Sequence, residues 1–374
     1  MPAMRSPPRL LPWSILALLA ASCGPSPVAA QVEIIDVGRY NFTGGGNADP
    51  RLVAEELSGL ARVEGDRYVA VGDDHAALYF LDIAVDPESG RVRSVSFGHQ
   101  IPILDFEGRP LTGRGQGADR EDVVYNPEHG TVWLADERDF GDVARPSLVE
   151  LDPGSGRELS RLVPAGDGPF SVYAAIRANY GFEALALDVD DQTLWTANEE
   201  ALTIDGPLAS PSTGSIVRLQ ELDIEKGPGR QVAYVTDPID HAITGPPGAL
   251  GEDRSGVSGL VPIGGDRLLV LERGLVGDPS GMAGFRIRIH LAELDGATDV
   301  SAPGFRSGLT GRNDWRPARK TLLFERRFGL PVSNFEGMAF GPRLSNGDRS
   351  LLLIADNGGG TWQSIYALRL REEP

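Results

Sequence analysis

The sequence has few of the residues that stabilise small exported domains or bind soft metals. Cys23 is the only cysteine, so no disulfide can form within the chain. The five histidines show no Cys/His spacing that indicates zinc. After the N-terminal region, no apolar run approaches the ~20 residues that span a bilayer. Stability must therefore come from burial, which the remaining ~340 residues can supply within one domain.

Basic residues are also scarce. The chain carries 53 acidic and 35 basic residues, which gives a formal charge of −18. A nucleic-acid-binding protein needs a basic face, so this balance argues against such a partner. The acidity either keeps an exported protein soluble or marks carboxylates that gather to bind cations.

The N-terminus resembles an export signal. Arg5 and Arg9 precede or adjoin the apolar segment LLPWSILALLAA (residues 10–21), which is too short to span a bilayer and fits a signal-peptide core. We expect residues 1–30 to be a signal peptide cleaved before Gln31, and the protein to be secreted or periplasmic. The alternative is the lipobox-like AASC (residues 20–23), imperfect in its leucine position, where Cys23 would be lipidated and anchor the protein.

The 47 glycines and 28 prolines divide the chain into short segments. Alternating apolar runs are separated by Gly/Asp/Asn/Pro turns, while long stretches with a helical period of 3.6 are missing, apart from a short candidate helix at residues 172–178. This pattern is typical of strands and tight turns. The sequence therefore predicts an all-β fold.

Five segments of the chain follow one template. They begin at residues 57, 121, 182, 257 and 335 and read LSGLARVEGDRYVAVGDD, EDVVYNPEHGTVWLADER, FEALALDVDDQTLWTANEE, VSGLVPIGGDRLLVLERG and FEGMAFGPRLSNGDRSLLLIADNGG. Each contains a strand, a Gly/Asp turn and a second strand, and two further strands follow. Repeated four-stranded units predict a single β-propeller spanning residues 31–374.

The last repeat is one strand short, whereas residues 32–42 form a spare strand at the other end of the chain. We expect this N-terminal strand to complete the last blade, because an unclosed ring would expose a strand edge. Five blades are visible; a sixth could lie in the long interval before Val257 or before Phe335.

The repeat places its polar residues at one mouth of the channel. The first two strands of a blade are antiparallel, so the start of the first and the end of the second lie on the same side. The opening residues, one per blade, are Ser58, Glu121, Glu183, Ser258 and Glu336. The return residues at the end of the second strands are Asp73, Asp74, Asp136, Glu137, Asn198, Glu199, Glu272, Asp356 and Asn357.

Such a mouth is suited to a hard cation. Crowded carboxylates raise one another's pKa unless a cation or a donor compensates, and calcium takes 6–8 oxygen ligands. The candidate metal ligands are Asp73, Asp74, Asp136, Glu137, Asn198, Glu199, Asp356 and Asn357. The candidate catalytic carboxylates are Glu121, Glu183 and Glu336. Alternatively, these three glutamates join neighbouring blades by accepting backbone N–H groups or by pairing with arginines.

Four arginines lie beside the same motifs: Arg120, Arg138, Arg254 and Arg273. Guanidinium groups bind phosphate or carboxylate through two hydrogen bonds, so these residues are candidates for holding a small anionic substrate. Alternatively, they neutralise adjacent Glu and Asp in ion pairs between blades.

Other hydrolytic mechanisms have little support. The sequence has no GxSxG elbow and no pattern of a catalytic triad, and its glycine runs are not followed by the Lys-Ser/Thr of a P-loop. A metal-activated water is the more economical mechanism for this set of residues.

Several of the motifs resemble those of a known family. The segments LSGL (57–60), YVAVGDD (68–74), FEAL (182–185), SGVSGL (255–260), NFEGMA (334–339) and ADN (355–357) are similar to those of the phytase-like domain family with esterase-like activity. The resemblance covers roughly residues 52–370. It implies an exported propeller that hydrolyses phosphate or carboxylic esters. The RHGxRxP signature of histidine acid phosphatases is missing, which excludes that mechanism.

Three functional hypotheses follow. The first is an exported, calcium-dependent ester hydrolase, acting as a monomer on a small anionic substrate. The second is a non-catalytic propeller that binds a ligand or a protein at the cell envelope, since this fold has many unrelated functions. The third is a lactonase-like calcium propeller with Glu, Asn and Asp at its channel mouth.

Overall fold

The computed structural model describes residues 31–43, 54, 56–72, 75–111, 119–138, 146–239, 255–277, 283–329, 334–358 and 362–372. Within them, the side chains of His75, Arg138, Val276, Gly277 and Ala283 are not described. The predicted signal peptide, Cys23, Asp73, Asp74 and Arg254 lie outside these residues.

The described residues form twenty strands in five four-stranded antiparallel sheets. Each of the first four blades is built from four consecutive strands. The first blade contains β2 (Leu57–Glu64), β3 (Arg67–Gly72), β4 (His75–Val85) and β5 (Val92–Pro102), and the second contains β6 (Asp119–Asn126), β7 (Thr131–Arg138), β8 (Ser147–Leu151) and β9 (Glu158–Leu162). The third contains β10 (Phe182–Leu187), β11 (Thr193–Asn198), β12 (Ile216–Asp223) and β13 (Gly227–Val235), and the fourth contains β14 (Ser255–Pro262), β15 (Arg267–Gly277), β16 (Ala283–Glu293) and β17 (Arg319–Gly329). The predicted all-β propeller is confirmed.

The fifth blade combines the two ends of the chain. It contains β18 (Asn334–Arg343), β19 (Arg349–Asp356), β20 (Trp362–Glu372) and the N-terminal β1 (Val32–Thr43) in that order. Strand β1 pairs with β20 from Val32↔Glu372 to Thr43↔Trp362. The prediction that the N-terminal strand closes the ring is therefore confirmed.

No sixth blade is formed by the residues that the structure describes. The long interval before Val257 supplies the outer strands β12 and β13 of the third blade, and the interval before Phe335 supplies β16 and β17 of the fourth. The predicted helix at residues 172–178 is a 3₁₀ helix at Pro169–Ala175, and a second spans Pro303–Phe305.

The core lies between neighbouring blades. For example, Leu60 and Tyr68 of the first blade pack in one cluster with Leu352 and Ile354 of the fifth. Apolar side chains on both faces of a blade are buried because each blade is covered by its two neighbours. The continuous apolar runs of the inner strands predict this burial on both faces.

The inner strands approach closely at glycines just below the openings. A Cβ on Gly59 would lie 2.7 Å from the Cα of Asp122, and one on Gly337 would lie 2.6 Å from the carbonyl oxygen of Ser58. A Cβ on Gly259 would lie 3.0 Å from the carbonyl oxygen of Glu336. We call Gly59, Gly259 and Gly337 the glycine layer; it lets backbones of neighbouring blades touch.

Among the described residues, no helix is long and apolar enough to cross a membrane.

Candidate functional site

Each blade has a β-bulge at its opening residue. The pairing of the first two strands skips Ser58, Glu121, Glu183, Ser258 and Glu336. In a bulge, two residues oppose one across the ladder, and the extra residue is turned out of the regular alternation. The same local distortion therefore redirects one polar side chain in every blade.

The five bulged residues are all buried, with at most 7 % of their surface exposed. The Ser58 hydroxyl donates to the carbonyl oxygen of Arg120, 2.7 Å away, and so joins the first blade to the second. The Ser258 hydroxyl has no hydrogen-bond partner among the described residues.

The return residues come in pairs, and in the four pairs that the structure describes the second member crosses to the next blade. Glu137 accepts a hydrogen bond from the backbone N–H of Gly181, 2.7 Å away. Arg273 reaches the carboxylate of Glu336 in the fifth blade. Asn357 accepts one from the backbone N–H of Glu56, before the first blade, at 2.9 Å.

Glycines make room for two of these crossings. A Cβ on Gly181 would lie 2.4 Å from the Cγ of Glu137, and a Cβ on Gly256 would lie 2.4 Å from the Cγ of Glu199. Both glycines stand two positions before an opening residue. The repeat therefore pairs a crossing glutamate with a glycine at the start of the next blade.

Arg273 joins carboxylates from two other blades. Its guanidinium donates to Glu199 Oε1 at 2.6 Å and to Asn334 Oδ1 at 3.1 Å, besides its contact with Glu336. Burial would lower the pKa of Arg273, but the charges of Glu199, Glu183 and Glu121 outweigh it and raise that pKa above its ordinary value. Arg273 is therefore a permanent cation at the mouth.

Two groups of carboxylates lie beside Arg273. The ligand oxygens of Asp119, Glu121 and Glu137 lie within 4.8 Å of one another, and so do those of Glu137, Glu183 and Glu199. All five residues are buried, and Glu137 belongs to both groups. We call these five residues, with Arg273 and Glu336, the acidic mouth.

The acidic mouth has the donor chemistry of a hard-cation site. Its described side chains comprise six carboxylates and one guanidinium. Glu199 Oε2 is buried and has no hydrogen-bond partner among the described residues, although Oε1 is held by Arg273. A buried carboxylate oxygen without a partner is costly, and a metal ion would relieve that cost.

The first members of the return pairs lie in different surroundings. Asn198 accepts from the backbone N–H of Arg218 at 3.0 Å and donates to the carbonyl of Glu200 at 2.5 Å, so both ends of its amide are engaged. Asp136 accepts from the backbone N–H of Asp119 at 3.1 Å. Burial raises the pKa of Asp136 to about 6, although nearby Arg120 opposes this.

Asp356 and the arginines complete the predicted set. Asp356 Oδ2 accepts from Asn334 at 3.2 Å, and Asn334 also donates to Glu336 at 2.7 Å, so Asp356 is one residue removed from the mouth. Arg120 is buried and lies near Asp136. Of the other predicted arginines, Arg273 is within the mouth; Arg254 and the side chain of Arg138 are not described.

Sequence reasoning did not single out Asp119 or Asn334 as site residues. Both stand two positions before an opening glutamate, at the place where the third and fourth blades have Gly181 and Gly256. This shared position in the repeat is the sequence feature that could have identified Asp119 and Asn334 as site residues.

A second polar cluster lies between the third and fourth blades, where Asp237 follows β13 and Glu272 and His290 lie on β15 and β16. Asp237, Glu272 and His290 present ligand atoms within 4.8 Å of one another. However, the Lys320 ammonium lies 2.6 Å from Asp237 Oδ1 and 2.9 Å from Glu272 Oε1, and the Tyr234 hydroxyl donates to Glu272 at 2.6 Å. The lysine already supplies the cation, so this cluster is an internal ion-pair network.

Comparison with solved structures gives only weak similarities. The PQQ-bound aldose sugar dehydrogenase from Streptomyces coelicolor is 12% identical over 91% of this chain and 99% of that chain, with a TM-score of 0.36. A thermostable family-43 glycoside hydrolase is 10% identical over 89% of this chain and 96% of its own, with a TM-score of 0.43. A streptogramin B lyase is 12% identical over 90% and 98%, with a TM-score of 0.32. Similarities of this size carry no argument about function.

A family model gives the informative match. No curated protein matches the chain significantly. The model described as phytase-like, with the esterase-like activity of phytase, matches residues 54–359, which include all five repeats and every described residue of the acidic mouth. The chain therefore belongs to the phytase-like family.

Proposed function

We propose that this protein is an exported ester hydrolase in which a calcium ion at the acidic mouth assists attack by water. The observation that carries this proposal is the pair of buried carboxylate groups that share Glu137, with Glu199 Oε2 lacking a protein partner. Membership of a family described by esterase-like activity supports the reaction class.

Glu137, Glu183 and Glu199 would hold the ion, with Glu121 and Asp119 as the adjoining group. When bound, calcium would polarise an ester oxygen and lower the pKa of a coordinated water. Calcium fits because the donors are all carboxylate oxygens, without the imidazole or thiolate ligands that softer metals favour.

The chain's own residues would divide the remaining tasks. Arg273 donates hydrogen bonds to Glu199 and Glu336 and so holds both carboxylates in place, and Glu336 could accept a proton from the attacking water. The Ser258 hydroxyl, which has no partner among the described residues, could donate to the substrate. A small phosphate or carboxylic ester, anionic in the first case, would suit this mouth; Arg138 and Arg254 remain predicted contacts.

Activity against a panel of esters tests the proposal. Purified protein with calcium should hydrolyse p-nitrophenyl phosphate or p-nitrophenyl acetate, and EDTA should abolish turnover. Glu336→Gln, which removes the proposed proton acceptor, should lower kcat/KM about a hundredfold or more. Glu225→Gln, on an exposed turn, is the matched control and should retain activity. Absence of turnover across phosphate esters, carboxylic esters and lactones with calcium present would reject the proposal.

A non-catalytic, ligand-binding propeller is the second candidate, and one observation favours it. Arg273 links Glu199 to Glu336, which is what a purely structural latch between blades would require. The double variant Glu121→Gln/Glu336→Gln separates the two candidates. If the unchanged protein hydrolyses an ester and the double variant loses this activity at the same melting temperature, the enzyme is supported. If the unchanged protein hydrolyses no ester and the double variant melts at a lower temperature, the structural latch is supported.

Export and oligomeric state are further parts of the proposal. We propose cleavage before Gln31, with lipidation at Cys23 as the alternative, and a monomeric mature protein. Mass spectrometry of the mature N-terminus distinguishes the two cleavage sites, because a lipidated Cys23 adds acyl mass. Light scattering of the purified protein measures the oligomeric state.

A further inference from the structure

The propeller has a second opening on the face opposite the acidic mouth. A cavity of about 280 Å³ opens there along the central axis. The inner strands of all five blades line it, through Leu60, Val123, Leu185, Leu260 and Met338. These residues lie on the far side of the glycine layer from the opening residues.

The glycine layer separates this cavity from the mouth. Its glycines bring the first blade against the second and fifth, and the fourth against the fifth, at backbone contact distances. No residue of the acidic mouth lines the cavity, and we call the cavity the blind channel because its lining ends at apolar side chains next to the glycine layer. Apolar side chains thus line its inner end, where an alkyl group could pack, while charged residues stand at its rim.

The rim of the channel carries two arginines on adjacent blades. Among the described residues, neither Arg62 of the first blade nor Arg349 of the fifth has a carboxylate within 4.0 Å. Arg62 donates to the carbonyl of Gly65 at 2.8 Å, and the Arg349 guanidinium lies over the Phe340 ring, 3.3 Å from its centroid. Burial and nearby Arg343 lower the pKa of Arg349 to about 10, so it stays charged at neutral pH.

The opposite side of the rim is acidic. Asp188 and Asp191 of the third blade line the channel, and Asp191 lies near Glu128 and Asp190. Burial and these like charges raise the pKa of Asp191. An anionic group at the rim is therefore attracted to the side of Arg62 and Arg349 and repelled from the third blade.

We propose that this blind channel binds a small amphiphile with one carboxylate and a short alkyl chain. The chain enters between the inner strands, and the carboxylate pairs with Arg349 and Arg62. The available volume equals roughly nine water molecules of ~30 Å³ each, which limits the ligand to a short chain. A guanidinium beside an apolar channel gives both parts of such a ligand a partner.

Calorimetric titration with sodium octanoate tests this binding. One octanoate should bind per protein, and octanol, which has no charge, should bind at least about tenfold more weakly. Arg349→Gln should weaken octanoate binding by about 10–100-fold, the effect of losing a charge-assisted hydrogen bond. Arg371→Gln is the matched control, since Arg371 is on the same blade but does not line the channel.

A filling variant tests the location. Val63→Phe, at a half-buried lining residue, should abolish octanoate binding while the melting temperature stays close to that of the unchanged protein. EDTA should leave octanoate affinity unchanged, because the glycine layer separates the channel from the mouth. The inference is overturned if the unchanged protein binds no octanoate saturably, or if Arg349→Gln and Val63→Phe both bind it with unaltered affinity.

Discussion

Arg273 stands at a position of the repeat where the second and third blades carry a glutamate. Glu137 and Glu199 occupy the equivalent places in the second and third blades, and each side chain crosses toward the following blade. In the fourth blade the crossing residue is a cation, and it meets Glu199 from one side and Glu336 from the other. This single reversal of charge within the repeat places one cation among the crossing residues, between the third and fifth blades.

Removing this cation should be strongly destabilising. Arg273→Gln leaves Glu199 and Glu336 buried without their partner, so the free energy of unfolding should fall by about 3–5 kcal/mol. Urea denaturation measures this loss. Arg267→Gln, which breaks a partly exposed pair with Glu372, should cost at most ~1 kcal/mol. Equal losses in the two variants would contradict the central role of Arg273.

Asp237 should make stability depend on pH. Hydrogen bonds from His290 and Lys320 lower the pKa of Asp237 in the folded protein, below the ~3.9 of an unfolded chain. A lowered pKa stabilises the fold above pH ~4, and that stabilisation is lost as the pH falls through the folded value. Asp237→Asn should therefore cost about 1–2 kcal/mol at pH 7 and progressively less below pH 4.

Urea denaturation of both proteins between pH 2.5 and 8 measures this difference. Asp295→Asn, on an exposed turn, is the control and should follow the unchanged protein throughout. A difference between Asp237→Asn and the unchanged protein that stays constant across this range would refute the assigned cause.

The sequence predicts which positions gather at the mouth better than it predicts where each side chain points. Antiparallel pairing places Glu121, Glu183 and Glu336 at one end of the ring, and the structure brings them to Arg273 or its neighbours. The two members of a return pair such as Asn198-Glu199 point in different directions, because successive side chains of a strand alternate. Asn198 bonds within its own blade, and only Glu199 crosses to the next blade. The bulge that turns each opening residue depends on contacts between blades, which no single repeat encodes.

At the scale of the strand, the close approach of the inner strands depends on glycine. Gly337 is the tightest member of the glycine layer, because a Cβ there would meet both the Ser58 carbonyl oxygen at 2.6 Å and a side-chain carbon of Ile354 at 2.8 Å. Backbone atoms of the first blade cannot move away without opening the ring beneath the mouth. This position therefore couples two strands that are far apart in the chain.

Gly337→Ala should lower the free energy of unfolding by about 1–3 kcal/mol, the usual cost of overpacking. Gly304→Ala is the matched control, since a Cβ there would have no heavy atom within 4 Å. Its effect should stay within ~0.5 kcal/mol. Thermal denaturation compares the two variants, and a neutral Gly337→Ala would show that the inner strands can separate freely.

The strand pattern itself could be predicted from local sequence. Turn residues such as Gly65-Asp66 and Asn346-Gly347 separate alternating apolar runs, and each run became a strand. The number of blades was harder to predict, because the outer strands β12 and β13 lack the template and their spacing allows an extra blade. The pairing of β12 with β11, and of β13 with β12, depends on the tertiary ring, which local propensity does not report.

At the scale of the whole molecule, the first and the last of the described strands meet in one blade. Strand β1 covers the edge of β20 along its full length and buries Val32, Ile34 and Phe42. The Tyr366 hydroxyl donates to Asp36 across this pair at 2.7 Å. Without β1, the fifth blade would have three strands and an open edge, which is a template for association with other chains.

A chain that begins at residue 44 should therefore be less stable than one that begins at residue 31, and more prone to aggregate. The loss is a whole strand with its ladder and its buried side chains, so we expect a lower melting temperature and a rise in light scattering on heating. A synthetic peptide of residues 31–43 should restore the melting temperature, because it can add to the exposed edge of β20 as a strand. A peptide of the same composition in scrambled order is the control, since it cannot bury the three apolar side chains in register. If the shortened protein melts at the same temperature as the longer one, closure by β1 contributes nothing to stability, and the fifth blade is held by its inner strands alone.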